Sequence, residues 1–201
     1  MTPAVPITHL LYLHGFRSSP QSSKARKLCR AVHALRRNVL WWSPQLPASP
    51  AEASRLIAAG TQAWPTASMA VVGSSLGGYY ANWLAERRRC RAVLLNPAVQ
   101  PARSLASSVG VLTRWHAPEQ RFDFKAEYLD ELRALAVSQP ANGAQTLAII
   151  AKGDEVLDWR EMARQHAGAR LHLLEGSDHG LSDFADHLPA VLAFLGLAPP
   201  A

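Results

Sequence analysis

Cysteine is scarce in this chain. The two present, Cys29 and Cys90, have neither a CxxC partner nor the spacing of a metal-ligand set. A disulfide framework and a zinc-held fold are therefore excluded, and two free thiols in a reducing compartment are expected. Long apolar runs are missing too. No run approaches the roughly 20 residues needed to cross a bilayer. The opening Met1-Thr2-Pro3-Ala4-Val5-Pro6 has neither the basic stretch nor the apolar stretch of a signal peptide. A cytoplasmic protein is the expectation. Internal repeats and domain linkers are also lacking, so 201 residues read as one domain with a sizeable core. Positive charge is not lacking: Lys and Arg number 21 against 15 Asp and Glu, with clusters at Arg36-Arg37 and Arg87-Arg88-Arg89. Arginines suit the solvated C-terminal ends of helices. A nucleic-acid role would call for aromatic interleaving or a recognised motif, and the sequence has neither, so nucleic acid is not expected as a partner.

What is present is an alternation of short apolar runs with amphipathic stretches, the pattern of a mainly parallel sheet covered by helices on both faces. Strands are predicted over residues 7–13, 39–42, 68–72, 92–95, 146–151 and 171–174. Helices are predicted over 23–35, 50–63, 76–87, 159–167 and 181–195. The α/β rhythm breaks between 98 and 143, where no strong strand is evident. That stretch has a Ser/Gly-rich part, the aromatics Trp115, Phe122 and Phe124, and a predicted helix over 125–136. A long insertion of this kind inside a compact domain is expected to form a small cap over the strand ends. The tail Ala198-Pro199-Pro200-Ala201 is expected to fray.

One motif carries most of the chemical information. Gly73-Ser74-Ser75-Leu76-Gly77 follows a predicted strand and precedes a predicted helix. In that context Gly-x-Ser-x-Gly reads as a nucleophile elbow, a tight turn that holds Ser75 above the sheet. The glycines stand where a Cβ would collide with neighbouring backbone. A serine hydroxyl is a weak nucleophile near neutral pH and needs a base, which in turn needs an orienting acid. In α/β-hydrolases the chain order is Ser, acid, His. Asp154 leaves the 146–151 strand in the right place for the acid, with Glu155 and Asp158 as alternatives and a plain Gly-Asp turn as the structural reading. His179 follows the last predicted strand. His172 and His187 fit less well, and His9, His33, His116 and His166 have no matching position. The oxyanion hole is expected from the Phe16 and Leu76 amides, with His14 shaping the loop after the first strand. His14, Tyr79, Trp115 and Phe122 are the candidate pocket residues.

The chain also resembles a known family. Leu13-His14-Gly15-Phe16-Arg17-Ser18-Ser19-Pro20 with Lys24-Ala25, the elbow through Ala81, Leu95-Asn96-Pro97-Ala98-Val99 and Gly153-Asp154-Glu155-Val156-Leu157-Asp158 are similar to the blocks of the YqiA-like esterases, small α/β-hydrolases. The resemblance implies a cytoplasmic bacterial serine esterase with Ser75, Asp154 and His179 as its triad. It further implies short-chain acyl esters, and acyl-CoA thioesters, as substrates. One departure stands in the histidine block: the family's is similar to Gly-Gly-Asp-His-Ser-Phe, and this chain has Gly176-Ser177-Asp178-His179-Gly180-Leu181. The basic residues Arg17, Lys24, Arg26 and Lys27 after the oxyanion loop are candidates for contacting coenzyme A phosphates, or form an ordinary solvated helix start. Nothing in this scheme needs a metal or an organic cofactor. Two other classes stay open: an amidase or peptidase using the same triad, and a hydrolase-fold binding protein without chemistry.

Overall fold

The computed structural model describes residues 5–36, 38–138 and 140–197. The first four residues, Arg37 of the first arginine cluster and the 198–201 tail lie outside the described residues.

Six strands form one sheet: β1 (His9–Leu13), β2 (Leu40–Trp42), β3 (Met69–Ser74), β4 (Arg91–Leu95), and two later ones at Thr146–Ala151 and Arg170–Leu174. All neighbours are parallel, and each crossover from one strand to the next runs through helix. The helices are α1 (Ser23–Leu35), α2 (Pro50–Thr61) and α3 (Leu76–Arg88) in the first half. The inner strands β1, β3 and β4 and the Thr146–Ala151 strand read as continuous apolar runs because both faces are covered. Along β1 the alternation separates two cores. Leu10 and Tyr12 face α1 and the final helix, and Leu11 and Leu13 face α2 and α3. Local chemistry sets the helix starts. Ser22 caps α1 by accepting the Ala25 amide at 3.4 Å, and Ser49 caps α2 by accepting the Glu52 amide at 3.1 Å, with Pro50 in the first helical position.

Residues 98–143 differ from the sequence expectation. After a short α4 (Pro101–Ser104) they form an antiparallel hairpin, β5 (Gly110–Arg114) with β6 (Ala117–Phe124), and then α5 (Glu127–Ala134). Leu112 pairs with Phe122 and Thr113 with Arg121, and the register shifts between Thr113 and Arg114. The strands escape prediction because β5 is short and only half-buried and β6 is mostly solvated, so no apolar period marks them. The hairpin's turn side carries Trp115, which is exposed.

The parallel rhythm then resumes with β7 (Thr146–Ala151), α6 (Trp159–Gln165), β8 (Arg170–Leu174) and α7 (Phe184–Phe194). The sheet order is β2-β1-β3-β4-β7-β8. α7 starts three residues later than the sequence pattern predicts. Leu181 has φ +47° and stays in the preceding loop, although its side chain is buried. Among the described residues no helix is long and apolar enough to cross a membrane.

Candidate active site

The elbow forms where β3 turns into α3. Ser75 has φ +55° and ψ −120°, a conformation that a residue with a Cβ rarely adopts. Four hydrogen bonds hold it there. The Ser75 amide donates to the Leu95 carbonyl at 2.9 Å. Its own carbonyl accepts from Gly78, Tyr79 and Ala98 at 2.8, 3.2 and 3.1 Å. The glycines are required by close approach: a Cβ on Gly73 would lie 2.1 Å from the Gly77 carbonyl oxygen, and one on Gly77 would lie 2.0 Å from that of Leu13.

Two further loops meet Ser75 from the far side of the sheet. His179, on the loop between β8 and α7, brings Nε2 to 3.0 Å from Ser75 Oγ. Its Nδ1 lies 2.8 Å from Asp154 Oδ2 on the loop after β7. The Asp154 side chain is fully buried, and its other oxygen accepts the Val156 and Leu157 amides, each at 2.8 Å. That carboxylate is fixed on both oxygens. A neutral His179 ring donating from Nδ1 to Asp154 leaves Nε2 free to accept from the serine. The alternative acids have other partners: Glu155 accepts the His179 amide at 3.0 Å, and Asp158 caps α6 by accepting the Arg160 amide at 2.9 Å. Of the less favoured histidines, His172 packs against His187, and His187 lies 3.2 Å from Asp183.

Asn96, which the sequence reading quoted only as part of a motif, ties these loops together. It follows β4 with φ +42°. Its side-chain oxygen accepts the Ala151 amide at 2.8 Å, and its nitrogen donates to the Asp178 and His179 carbonyls at 3.0 and 3.2 Å. One fully buried side chain thereby fixes the end of β7 and the histidine loop. The signal available was its position, one step past a buried strand and before Pro97.

Phe16 and Leu76 both border the cavity above Ser75. Among the described residues neither amide donates to a protein acceptor. The loop carrying Phe16 is built by His14, which is buried. Its Nδ1 faces the Gly15 carbonyl at 2.9 Å, and its Nε2 accepts the Leu46 amide at 3.1 Å. Burial lowers the His14 pKa to about 4, so it is neutral near pH 7. Arg17 has φ +59° and turns back onto the hairpin. Its guanidinium donates to the Thr113 carbonyl at 2.7 Å and to Thr113 Oγ1 at 3.1 Å, and lies 3.8 Å from the centre of the Trp115 ring. Trp115 returns the contact, its amide donating to the Arg17 carbonyl at 2.9 Å. Arg17 is thus occupied within the protein, and Arg26 points to solvent. Of the basic residues after the oxyanion loop, Lys24 is the one that borders the cavity.

The cavity has a volume of about 400 Å³ and is mainly apolar, with Phe16, Leu76, Leu105 and Leu157 in its walls. Of the four candidate pocket residues, Trp115 alone lines it. Phe122 and His14 border a separate cavity of about 30 Å³ behind the oxyanion loop, where Phe122 meets Phe16 edge-on. Tyr79 is core: its hydroxyl donates to the Leu132 carbonyl at 2.5 Å, and burial raises its pKa to about 12. Its place just past the elbow does not tell which side of α3 the ring takes.

Comparison with known proteins agrees with this architecture. Residues 9–196 match the uncharacterised protein family UPF0227. The chain belongs to this family. A UPF0227 protein of Shewanella sediminis is 26% identical over 191 residues, covering 92% of this chain and 98% of its own. The family assignment bears out the resemblance to the YqiA-like proteins read from the motifs. Among solved structures, Est1E from Butyrivibrio proteoclasticus with ferulic acid bound superposes with a TM-score of 0.71 at 12% identity, over 98% of this chain and 92% of that one. Mouse alpha/beta hydrolase domain-containing protein 10 gives 0.71 at 13% identity, over 97% and 91%. At these identities the likeness is one of fold: this UPF0227 chain has the α/β-hydrolase fold.

Proposed function

We propose that this UPF0227 protein is a serine esterase that hydrolyses carboxylic acyl esters through an acyl-enzyme. The observation that carries the reading is the continuous hydrogen-bond chain from Ser75 Oγ to His179 to Asp154, at 3.0 and 2.8 Å, opening onto an apolar cavity. His179 takes the Ser75 proton as Oγ attacks the ester carbonyl. The Phe16 and Leu76 amides receive the oxyanion. His179 then protonates the leaving alcohol, and water repeats the sequence on the acyl-enzyme. Asp154 holds the ring orientation and stabilises the imidazolium. A cavity of about 400 Å³ favours short to medium acyl chains.

The test is hydrolysis of p-nitrophenyl esters from acetate to palmitate, beside Ser75→Ala and labelling by a fluorophosphonate. Turnover should fall by about 10⁴-fold or more in Ser75→Ala, with labelling confined to the parent protein. Equal turnover in parent and variant, or a folded protein that neither labels nor turns over, would overturn the reading. Amide and thioester substrates with the same acyl group then separate an amidase or thioesterase from a protein that only binds.

A further inference from the structure

The cavity above Ser75 is apolar along most of its wall and contains one ammonium group. Lys24, in the first turn of α1, lines it together with Ser75 and His179. Among the described residues Lys24 forms no salt bridge. Its hydrogen bond goes to the Gly180 carbonyl, one residue past His179. Burial lowers its pKa from the ordinary lysine value, and the fields of Asp178 and Asp154 oppose that shift. Neither carboxylate comes within salt-bridge distance of it. Asp178 accepts the Ser182 amide, and Asp154 holds His179 and two amides. A partly desolvated ammonium bonded to a neutral carbonyl is an incomplete arrangement, because such a group is stabilised by a counter-ion.

Two independent features surround that ammonium. The first is α1 itself. It starts at this corner with no acidic residue in its first turn, so the positive end of its dipole is uncompensated. Its cap, Ser22, accepts the Ala25 amide and keeps its own proton available to donate. The second is Tyr12, which lines the same cavity. Its hydroxyl is fully buried and has no hydrogen-bond partner, although Ser22 stands near it. Burial raises the Tyr12 pKa, so the phenol keeps its proton and is a donor without an acceptor. A cation, a helix start and two hydroxyl donors converge on one corner, where among the described residues no carboxylate forms a salt bridge with the ammonium.

We propose that this corner is a subsite for a carboxylate carried by the substrate, and that the preferred esters bear a negative charge close to the scissile carbonyl. Lys24 is the counter-ion, and the Ser22 and Tyr12 hydroxyls complete the oxygen's partners. The inference rests on the esterase reading and adds the substrate's charge to it. It does not assign Lys24 to coenzyme A: the long pantetheine arm separates the phosphates from a thioester carbonyl, whereas Lys24 lines the same cavity as Ser75 and His179.

Matched p-nitrophenyl esters test it: the half-ester of adipic acid against the hexanoate, with the Ser75→Ala rate subtracted. A second pair, 3-acetoxybenzoate against phenyl acetate, puts the charge on the alcohol instead. The parent should prefer the charged member of one pair by about tenfold or more in kcat/KM, and which pair it is identifies the side. That preference should collapse in Lys24→Met, survive in large part in Lys24→Arg, and shrink as salt is raised. The ratio within each variant cancels any loss that comes from the Gly180 contact. Tyr12→Phe, which removes only the hydroxyl, should reduce the ratio by a smaller factor and covers the case of a misfolded Lys24→Met. Equal preference in parent, Lys24→Met and Tyr12→Phe, with neutral esters hydrolysed and Ser75 labelled, would overturn the subsite alone. Absence of both hydrolysis and labelling would overturn the esterase reading and the subsite with it.

Discussion

The sheet and the 98–143 excursion hold their residues in opposite ways. In the sheet, β3 and β7 are buried along their whole length, and Ser75, Asn96 and Asp154 each stand within three residues of a strand end. Their placement follows from backbone pairing. The excursion is solvated along most of β6, and Phe124 is its one fully buried strand residue. It is attached by the packing of Phe124 and Leu132 into the core and by a few side-chain hydrogen bonds. Arg17 grips Thr113. Glu131 accepts Ser49 Oγ at 2.7 Å and the Ala51 amide at 2.9 Å, at the start of α2. Tyr79 reaches the Leu132 carbonyl. Backbone closure therefore sets where the reacting groups stand, and a few side-chain clamps set what covers them. Mutation should separate the two.

The largest effect is expected on the sheet side. Gly77→Ala pushes a Cβ into the Leu13 carbonyl, backbone against backbone. A loss of about 3 kcal/mol or more in urea unfolding should follow, with failure to accumulate as folded protein the extreme outcome. A cost under about 1 kcal/mol would show that the elbow can relax and would weaken the distinction.

Acid should act on the same side. His14 and His166 are buried, and burial holds the pKa of each at about 4 against 6.5 in the unfolded chain. Between those values the unfolded state binds more protons, so stability rises with pH. It is fully present above about 6.5 and is lost as pH falls toward 4. The slope approaches about 1.4 kcal/mol per pH unit for each histidine. Chemical denaturation at pH 7, 5.5 and 4.5 should show this fall, and a flat profile would contradict the burial argument.

The clamp is expected to affect rate more than folding. Arg17→Ala should lower kcat by about tenfold while changing stability by less than about 1 kcal/mol, because the loop carrying the Phe16 amide loses its anchor. Arg17→Lys should not restore the rate, since one ammonium cannot replace a fork that also stacks on Trp115. A change in KM alone would assign Arg17 to substrate binding instead. The smallest effect belongs to the exposed face of the hairpin. Val111→Ser, at a side chain 68% exposed, should stay within about 0.5 kcal/mol, read as a shift in melting temperature.

The same contrast explains what the sequence could reveal. The four inner sheet strands were legible because burial on both faces leaves continuous apolar runs, and α1 and β7 have the predicted bounds. Ser75, Asp154 and His179 were legible because each follows a strand end. The hairpin was not, because its strands are held by a pairing partner and by Arg17, and neither contact leaves a local period. His14, Tyr79 and Phe122 were expected in the substrate pocket, but His14 and Phe122 border the smaller cavity and Tyr79 turns to the Leu132 carbonyl, since sequence position does not give the direction of a ring. Asn96 and Tyr12 act through tertiary neighbours far along the chain, and no local pattern marks them.

The span of 104 residues between Ser75 and its histidine partner has a consequence during synthesis. A ribosome delivers the elbow long before the segment that carries His179. That segment follows β8, an edge strand and the last of the sheet in chain order. A chain that ends before β8 has the elbow sequence and lacks the residue whose ring faces Ser75 Oγ. Under the proposed mechanism, the order of synthesis gives the hydroxyl a built-in latency, because its proton acceptor is among the last residues made.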